Sequence, residues 1–224
     1  MPGARFRQDD RPRLSRERVL LAAVELADES GIEALSMRKL GEKLGVEAMS
    51  LYKHVAHKDD LIGSMIDGVF AEIDLPLGER NWRTAVRRRA VSVLEVLKRH
   101  PWAVPLMQSR TNPGPRTLGH LDALIGVLRG AGFSVVLTAH ALSAVDAYVY
   151  GFAMQEKALP FDREERSTEL IQQILAAMPA DEWPHLVEFS REHVLKPGYD
   201  YGQEFEWGLD LVLDGLERAR GQER

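Results

Sequence analysis

The sequence predicts an all-α protein: an N-terminal three-helix bundle with a helix-turn-helix, joined to a larger helical domain. Three observations predict it. Apolar residues recur at helical spacing through most of the chain. No segment alternates with period 2 long enough to read as a strand. Gly and Pro punctuate the helical stretches, with no internal repeat or low-complexity tract.

The elements follow in order. Ser15 is placed to cap a first helix, in which Val19, Leu20, Ala23, Leu26 and Ala27 recur until Gly31 stops it. Ser36 caps a short second helix with Leu40 and Leu44 inward, and Gly45 follows where a turn needs an unhindered backbone. Val46 to Val55 makes a third short helix. Asp59 and Asp60 fall in the first turn of a fourth, where negative charge suits the helix dipole, and it runs to about Ile73. The stretch DLPLGERN, with Pro76 and Gly78, breaks the pattern and sets a domain boundary. Longer helices are expected at about 82–99, 102–108, 115–129, 135–157, 163–178, 181–193 and 201–218.

Composition narrows the class. The 224 residues are 45% hydrophobic and 28% charged, ordinary for a globular protein. The absence of cysteine excludes disulfides, thiolate metal sites and a cysteine nucleophile, and fits a reducing cytoplasm. The N-terminus lacks an apolar signal region, and no run of about 18 apolar residues predicts a membrane span. Net charge is −5, yet residues 1–18 hold six arginines against three carboxylates, so a basic arm precedes an acidic body. Such an arm suits a local polyanion contact or a solvated tail.

A long helix, a short one, a Gly turn and another short one make a helix-turn-helix. The second short helix of such a motif enters the DNA major groove. In EAMSLYKHV, Val46, Leu51 and Val55 point inward and Ala48, Met49, Ser50, Tyr52, Lys53 and His54 outward. Ala48 and Met49 can approach base edges, including thymine methyls. Ser50, Tyr52, Lys53 and His54 can reach phosphates or bases. Arg38 suits a phosphate or a guanine, and Lys58 stands at a helix start that favours phosphate.

The run GIEALSMRKLGEKLGVEAMSLYKHVAHKDDLI resembles the DNA-binding domain of the tetracycline-repressor (TetR) family. The Leu-Ser-x-Arg-x-Leu opening, the Leu-Gly-Val turn and the Leu-Tyr-x-His-Val ending carry the resemblance. It implies that Ser36, Met37, Arg38, Ala48, Met49, Ser50, Tyr52, Lys53, His54 and Lys58 face DNA. FSVVLTAHALSAVDAYVYGFAMQE and FEWGLDLVLDGLER are similar to the eighth and last helices of the tetracycline-responsive members. The resemblance thus spans about residues 15 to 218. It implies a flexible arm at 1–14, a DNA-binding domain at 15–74, and a ligand-binding and dimerisation domain at 75–224.

The residues of the second domain fit that implication. Phe205, Leu209, Val212, Leu213 and Leu216 form one apolar stripe, and Leu142, Val145 and Val149 another with Phe152. These are expected at the interface of a homodimer; an ordinary core within one chain is the competing reading. A small-molecule pocket is expected among Trp102, Met107, Gln108, Thr111, His120, Leu121, Leu124, His140, Ala144, Tyr148 and Gln155, although any one of them is more often plain core. Tetracycline-responsive members hold a magnesium chelate through a histidine and a glutamate. Here those positions fall at Met107 or Gln108 and at Gln155, and neither thioether nor amide suits hydrated Mg²⁺.

No nucleophile elbow, P-loop, dinucleotide fingerprint or HExxH is present, so the chain is not read as an enzyme. His185, Glu188, Glu192 and His193 share a segment, but a solvated amphipathic helix outweighs a metal site there. No cofactor or metal is expected. The partners expected are a double-stranded DNA operator, a small-molecule inducer and a second copy of the chain, with no membrane, in the cytoplasm. The resulting expectation is a ligand-responsive regulator, a repressor released by an inducer other than magnesium-tetracycline. An activator, or a helical ligand-binding protein whose helix-turn-helix is only structural, stays open.

Overall fold

The computed structural model describes residues 13–75, 78–107, 113–158, 173, 179 and 181–223. Among them every regular element is helical. The helices are α1 (Arg16–Ser30), α2 (Met37–Leu44), α3 (Ala48–Leu51), α4 (Lys58–Glu72), α5 (Trp82–Arg99), α6 (Val104–Met107), α7 (Pro115–Gly130), α8 (Val135–Ala158), α9 (Pro184–Phe189) and α10 (Gly202–Gln222). A 3₁₀ turn spans Ile32–Ala34 and a π-helical turn Ser190–Val194. The basic arm and the helix expected at 163–178 lie outside the described residues, apart from Arg13, Leu14 and Gln173.

The chain forms two compact units. One takes Met1–Ile73 with Arg99–Asp122; the other takes Asp74–Lys98 with Ala123–Arg224. The segment 99–122 therefore clusters with the N-terminal unit, although a boundary at 74/75 assigns it to the C-terminal domain.

In the first unit, Ser15 and Ser36 do what their positions predict. Each side-chain oxygen accepts from the backbone N–H three residues on, Arg18 and Lys39, at 3.2 Å. Gly45 ends α2 in the left-handed region (φ 68°, ψ 35°). The third helix is shorter than the expected 46–55: it holds one turn, and Tyr52–His54 continue as a turn. Val19, Leu40, Leu51, Leu61 and Met65 are at most 1% exposed and form the core of α1–α4. Each such side chain contributes about 1.5–3 kcal/mol by burial.

The segment after α5 is tied to this core by polar contacts. The Trp102 indole N–H donates to Asp28 Oδ1 at 2.6 Å. His100 lies between Asp28 (2.8 Å) and Glu72 (3.2 Å), and Arg99 reaches Glu72 at 2.7 Å. Burial raises the Glu72 pKa, but the Arg99 guanidinium and His100 outweigh it and hold the carboxyl below its ordinary value.

In the second unit, α8 and α10 pack lengthwise. Val145, Val149, Phe205, Leu209 and Leu213 are at most 3% exposed, and Leu216 is buried too. This corrects the reading of the two stripes as a partner surface: six of those eight residues are core within the single chain, and Leu142 and Val212 are half-buried. Trp82 of α5 stacks edge-on to Phe133 at 4.8 Å, and the Arg220 guanidinium lies over both rings. Arg83 pairs with Asp210 (2.8 Å) and Asp214 (2.6 Å), fixing α5 against α10. With 24 residues and mean hydropathy 1.3, α8 is long and apolar enough to cross a membrane, unlike the sequence expectation. Part of its apolar surface packs against α10, while Val135, Val136 and Met154 stay exposed.

Gly41 sets the angle of the helix-turn-helix. A Cβ there would meet the Val46 carbonyl oxygen at 2.7 Å and the Ala48 backbone at 3.2 Å. Backbone cannot swing aside as a side chain can. Gly41→Ala is expected to cost about 1–3 kcal/mol of stability, the usual range for overpacking, and urea unfolding would measure it. An unchanged midpoint would show that the turn has slack.

Candidate nucleic-acid interface

The surface built by α2, the turn and α3 sorts its residues sharply. Leu51 is 0% exposed and Val55 2%, so the third helix is anchored on its inner side. On the outer side Met49 is 75% exposed and Tyr52 45%, and Lys53 is exposed as well. Ala48, Ser50 and His54 are half-buried at the rim of that surface. From α2, Arg38 is exposed and pairs within its helix with Glu42, while Ser36 and Met37 are half-buried. Lys58 is exposed at the first position of α4. The ten residues expected to face DNA therefore lie on one unit, along α2–α3 and at the start of α4. The exposed methionine and tyrosine present apolar and aromatic surface on that side, chemistry suited to base edges and sugar-phosphate.

His57 has a defined task that the sequence did not reveal. Its Nδ1 accepts from the Asp60 N–H at 3.0 Å, which makes it the N-cap of α4. Asp60 in turn accepts from Ala56 N at 3.0 Å. Asp60 therefore takes part in capping α4, and Asp59 stands beside it in the first turn, where negative charge suits the helix dipole. Arg16 of α1 also approaches Asp60, at 3.7 Å.

The expected ligand residues fall into two separate groups. In the first unit Trp102 and His120 are buried, Trp102 on Asp28 and His120 edge-on to Phe70 at 5.7 Å; Met107 is half-buried and Leu121 exposed. Gln108 and Thr111 lie outside the described residues. In the second unit Leu124 is buried, while His140 and Ala144 are exposed. Tyr148, Phe152, Tyr201 and Phe205 form an aromatic cluster with ring centroids 4.9–6.2 Å apart. The Tyr148 hydroxyl donates to the Phe205 carbonyl at 2.9 Å, and the Tyr201 hydroxyl donates to Gln155 Oε1 at 3.0 Å. Gly208 makes room for the Tyr148 ring, which a Cβ would strike.

One buried polar group of the second unit escaped the sequence reading. Arg89 of α5 is 3% exposed and pairs with Asp146 of α8 at 2.7 Å. Burial pushes the neighbouring Tyr150 hydroxyl up to about 12, and the Asp146 charge adds to the rise while Arg89 opposes it. An arginine inside an apolar helix pattern carries no sequence mark of burial. Among the described residues, no group of three or more His, Asp or Glu can hold a metal. His185 stands in solvent, and His193 contacts Glu204 at 2.8 Å.

A helix-turn-helix head with an exposed reading helix, carried on a larger helical body, defines a one-component transcriptional regulator. Residues 19–65 match the model for bacterial regulatory proteins of the tetR family, and residues 75–220 match the tetracyclin repressor-like C-terminal domain. The chain belongs to the TetR family. It is 32% identical to the HTH-type transcriptional repressor DrrR1 of Streptomyces coeruleorubidus, over 99% of this chain and 84% of that one. It is 28% identical to the class C tetracycline repressor protein of Escherichia coli, over 93% of each. The solved structure of ActR of Streptomyces coelicolor in complex with actinorhodin aligns with a TM-score of 0.75 and 25% identity, covering 94% of this chain and all of that one.

The Tyr150 environment makes a prediction at high pH. Its folded pKa lies above the ordinary 10.0, so the neutral hydroxyl is favoured in the native state. The stability it contributes is intact below pH 10 and is lost as pH rises from 10 towards 12. Phenolate absorbance should show Tyr150 ionising last among the tyrosines, and Tyr150→Phe should remove that last step. A last step unchanged in Tyr150→Phe would place the buried hydroxyl elsewhere.

Proposed function

We propose that this protein is a dimeric repressor that binds a palindromic operator and is released from it by a small aromatic molecule. The observation that carries the DNA reading is the split between buried Leu51 and Val55 and exposed Met49, Tyr52 and Lys53 along α3 and the turn that follows it. Met49 and Ala48 set sequence preference. Tyr52, Lys53, Arg38 and Lys58 hold phosphates or guanine, and Ser36, Met37, Ser50 and His54 border them. The name of the Streptomyces coeruleorubidus relative supports repression over activation. The protein acts in the cytoplasm, where its operator is, and performs no catalysis.

The inducer site lies in the body. The aromatic cluster around Tyr148 and the actinorhodin complex of the ActR relative support a polycyclic aromatic ligand. A magnesium-tetracycline chelate is disfavoured because Gln155, hydrogen-bonded to Tyr201, offers an amide where a carboxylate is needed. Ligand binding shifts the population between two head spacings, by no more than its differential affinity for them.

Dimerisation uses the sides of α8 and α10 that the core leaves out. Val136 is 63% exposed, Met154 60%, Trp207 66% and Leu211 53%, with small residues Ser143, Ala144 and Ala147 exposed between them on α8. A Trp and a Leu one turn apart in solvent mark a partner surface. Trp207→Glu with Leu211→Glu should give a monomer by light scattering while far-ultraviolet dichroism stays helical. A double variant that remains dimeric would move the interface elsewhere.

The test of the DNA reading is Tyr52→Ala with Lys53→Ala in a mobility-shift titration on fragments of the source genome. Specific affinity should fall by about 1–3 kcal/mol for the lost base-proximal contact, and the salt slope should drop by about 1 for the lost phosphate contact. Fold and oligomeric state should not change. Equal affinity in variant and parent would make the helix-turn-helix merely structural.

A further inference from the structure

The segment that carries α1–α4 is acidic. Residues 13–73 hold eight Lys and Arg against eleven Asp and Glu, a net charge of −3 with histidine neutral. Bulk charge therefore gives this head no attraction to a polyanion, and single cations on its reading side decide its contacts. Those cations are not equally free. Lys53 and Lys58 are exposed, and among the described residues neither has an ion-pair partner. Lys43 of α2 is turned onto α1, 3.4 Å from Glu25 and 2.9 Å from Glu29. Arg38 is 75% exposed, yet its guanidinium is closed onto the carboxylate of Glu42, four residues later on α2 and itself 58% exposed. Leu40 and Gly41 between them are buried, so the pair stands on the outer side of the helix. The motif that marks Arg38 in the sequence says nothing of Glu42.

We infer that Glu42 is a specificity-determining residue: its carboxylate holds Arg38 back from DNA of arbitrary sequence and yields it only to a base edge. This rests on the DNA reading proposed above. An exposed pair at this spacing is worth about twofold in an equilibrium constant. A bidentate contact to guanine discriminates by about fivefold or more, so at the operator the guanidinium leaves the carboxylate. A phosphate of bulk DNA has no such margin. Taking it would leave the Glu42 carboxylate without a counter-charge beside a negative backbone. Off the operator no base contact fixes the register that would align a phosphate with Arg38, whereas Glu42 stays one turn away on the same helix. On bulk DNA Arg38 therefore remains paired and releases no counterion. Glu42 lowers affinity for every DNA a little and affinity for the wrong DNA more.

The test is a titration of the full-length chain at several salt concentrations onto two duplexes of equal length. One is a genomic fragment selected for binding by the parent; the other has random sequence. Glu42→Gln should tighten binding to the random duplex by about three- to tenfold. It should also steepen the slope of log affinity against log salt there by about 0.9 for each head engaged, the mark of a newly held phosphate. On the selected fragment the gain should be about twofold or less, with the parent's slope. Arg38→Ala with Glu42→Gln should return the random-duplex slope to the parent's, because no guanidinium is left to release. Glu95→Gln on α5 makes the same change of charge at an exposed site of the second unit and should alter neither slope. A parental slope on random DNA in Glu42→Gln overturns the role, and so does an equal steepening on both duplexes, which a mere loss of negative charge would give. Failure to select any fragment would remove the operator reading, while the random-duplex slopes still decide whether Glu42 restrains Arg38. Absence of binding to either DNA overturns both.

Discussion

The backbone of Gly41 lies against the backbone around Val46 and Ala48, and the reading helix takes its orientation from that contact. The Val46 N–H donates to the Gly41 carbonyl at 2.9 Å, so the chain turns back on α2 within five residues. Gly45 supplies the left-handed step that lets it do so. Two glycines four residues apart thus do different things: one removes a side chain from a crossing, the other adopts a backbone state that other residues avoid. With this corner closed, Leu51 and Val55 drop into the core of α1 and α4, Met49, Tyr52 and Lys53 turn out to solvent, and Ala48 and Ser50 stay half-buried at the rim.

A helix of four residues cannot hold its own shape by internal hydrogen bonding. It borrows rigidity from α4, whose cap is built from His57 and Asp60 immediately after the reading turn. Polar groups of the same helix meet the segment 99–122 at two places, Glu72 with Arg99 and His100 and Asp67 with Thr117, beside the Phe70–His120 ring contact. These are directional polar contacts, where apolar packing would also have served for stability alone. An apolar contact tolerates sliding; a carboxylate on a helix amide does not. The first unit is therefore a piece in which the reading turn, α4 and the start of α7 keep one geometry.

Much of this was legible in the sequence, and the rest was hidden for physical reasons. Caps and turns are local, so Ser15, Ser36 and Gly45 announced themselves. The outward set from Met49 to Lys53 followed from periodicity over a few residues. The dimer stripe failed at the next level: periodicity identifies a face but not its partner. Val145, Val149, Leu209 and Leu213 form a face that α8 and α10 use on each other, while the less regular side with Met154, Trp207 and Leu211 stays open. Asp67 was invisible because its partner is 50 residues away. The expected pocket list gathered residues by chemistry, and chemistry alone does not separate Trp102, held on Asp28, from Tyr148, stacked on Phe205.

The open side of α8 and α10 and the shortness of α3 belong to one argument. One turn of helix offers two or three side chains to base edges, and each good base contact discriminates by about 1–3 kcal/mol. A single head therefore falls short of the roughly 4–10 kcal/mol by which specific sites are separated from bulk DNA. Joining two heads raises the effective concentration of the second once the first is bound, provided their spacing matches half-sites about 34–36 Å apart. The same condition makes the pair sensitive: a change of spacing costs the whole second engagement and leaves each head's own chemistry untouched. In the dimeric repressor proposed above, an exposed Trp207 and Leu211 on the body and a one-turn reader on the head serve one switch. A stronger reading helix would bind as a monomer and give a ligand in the body little to act upon.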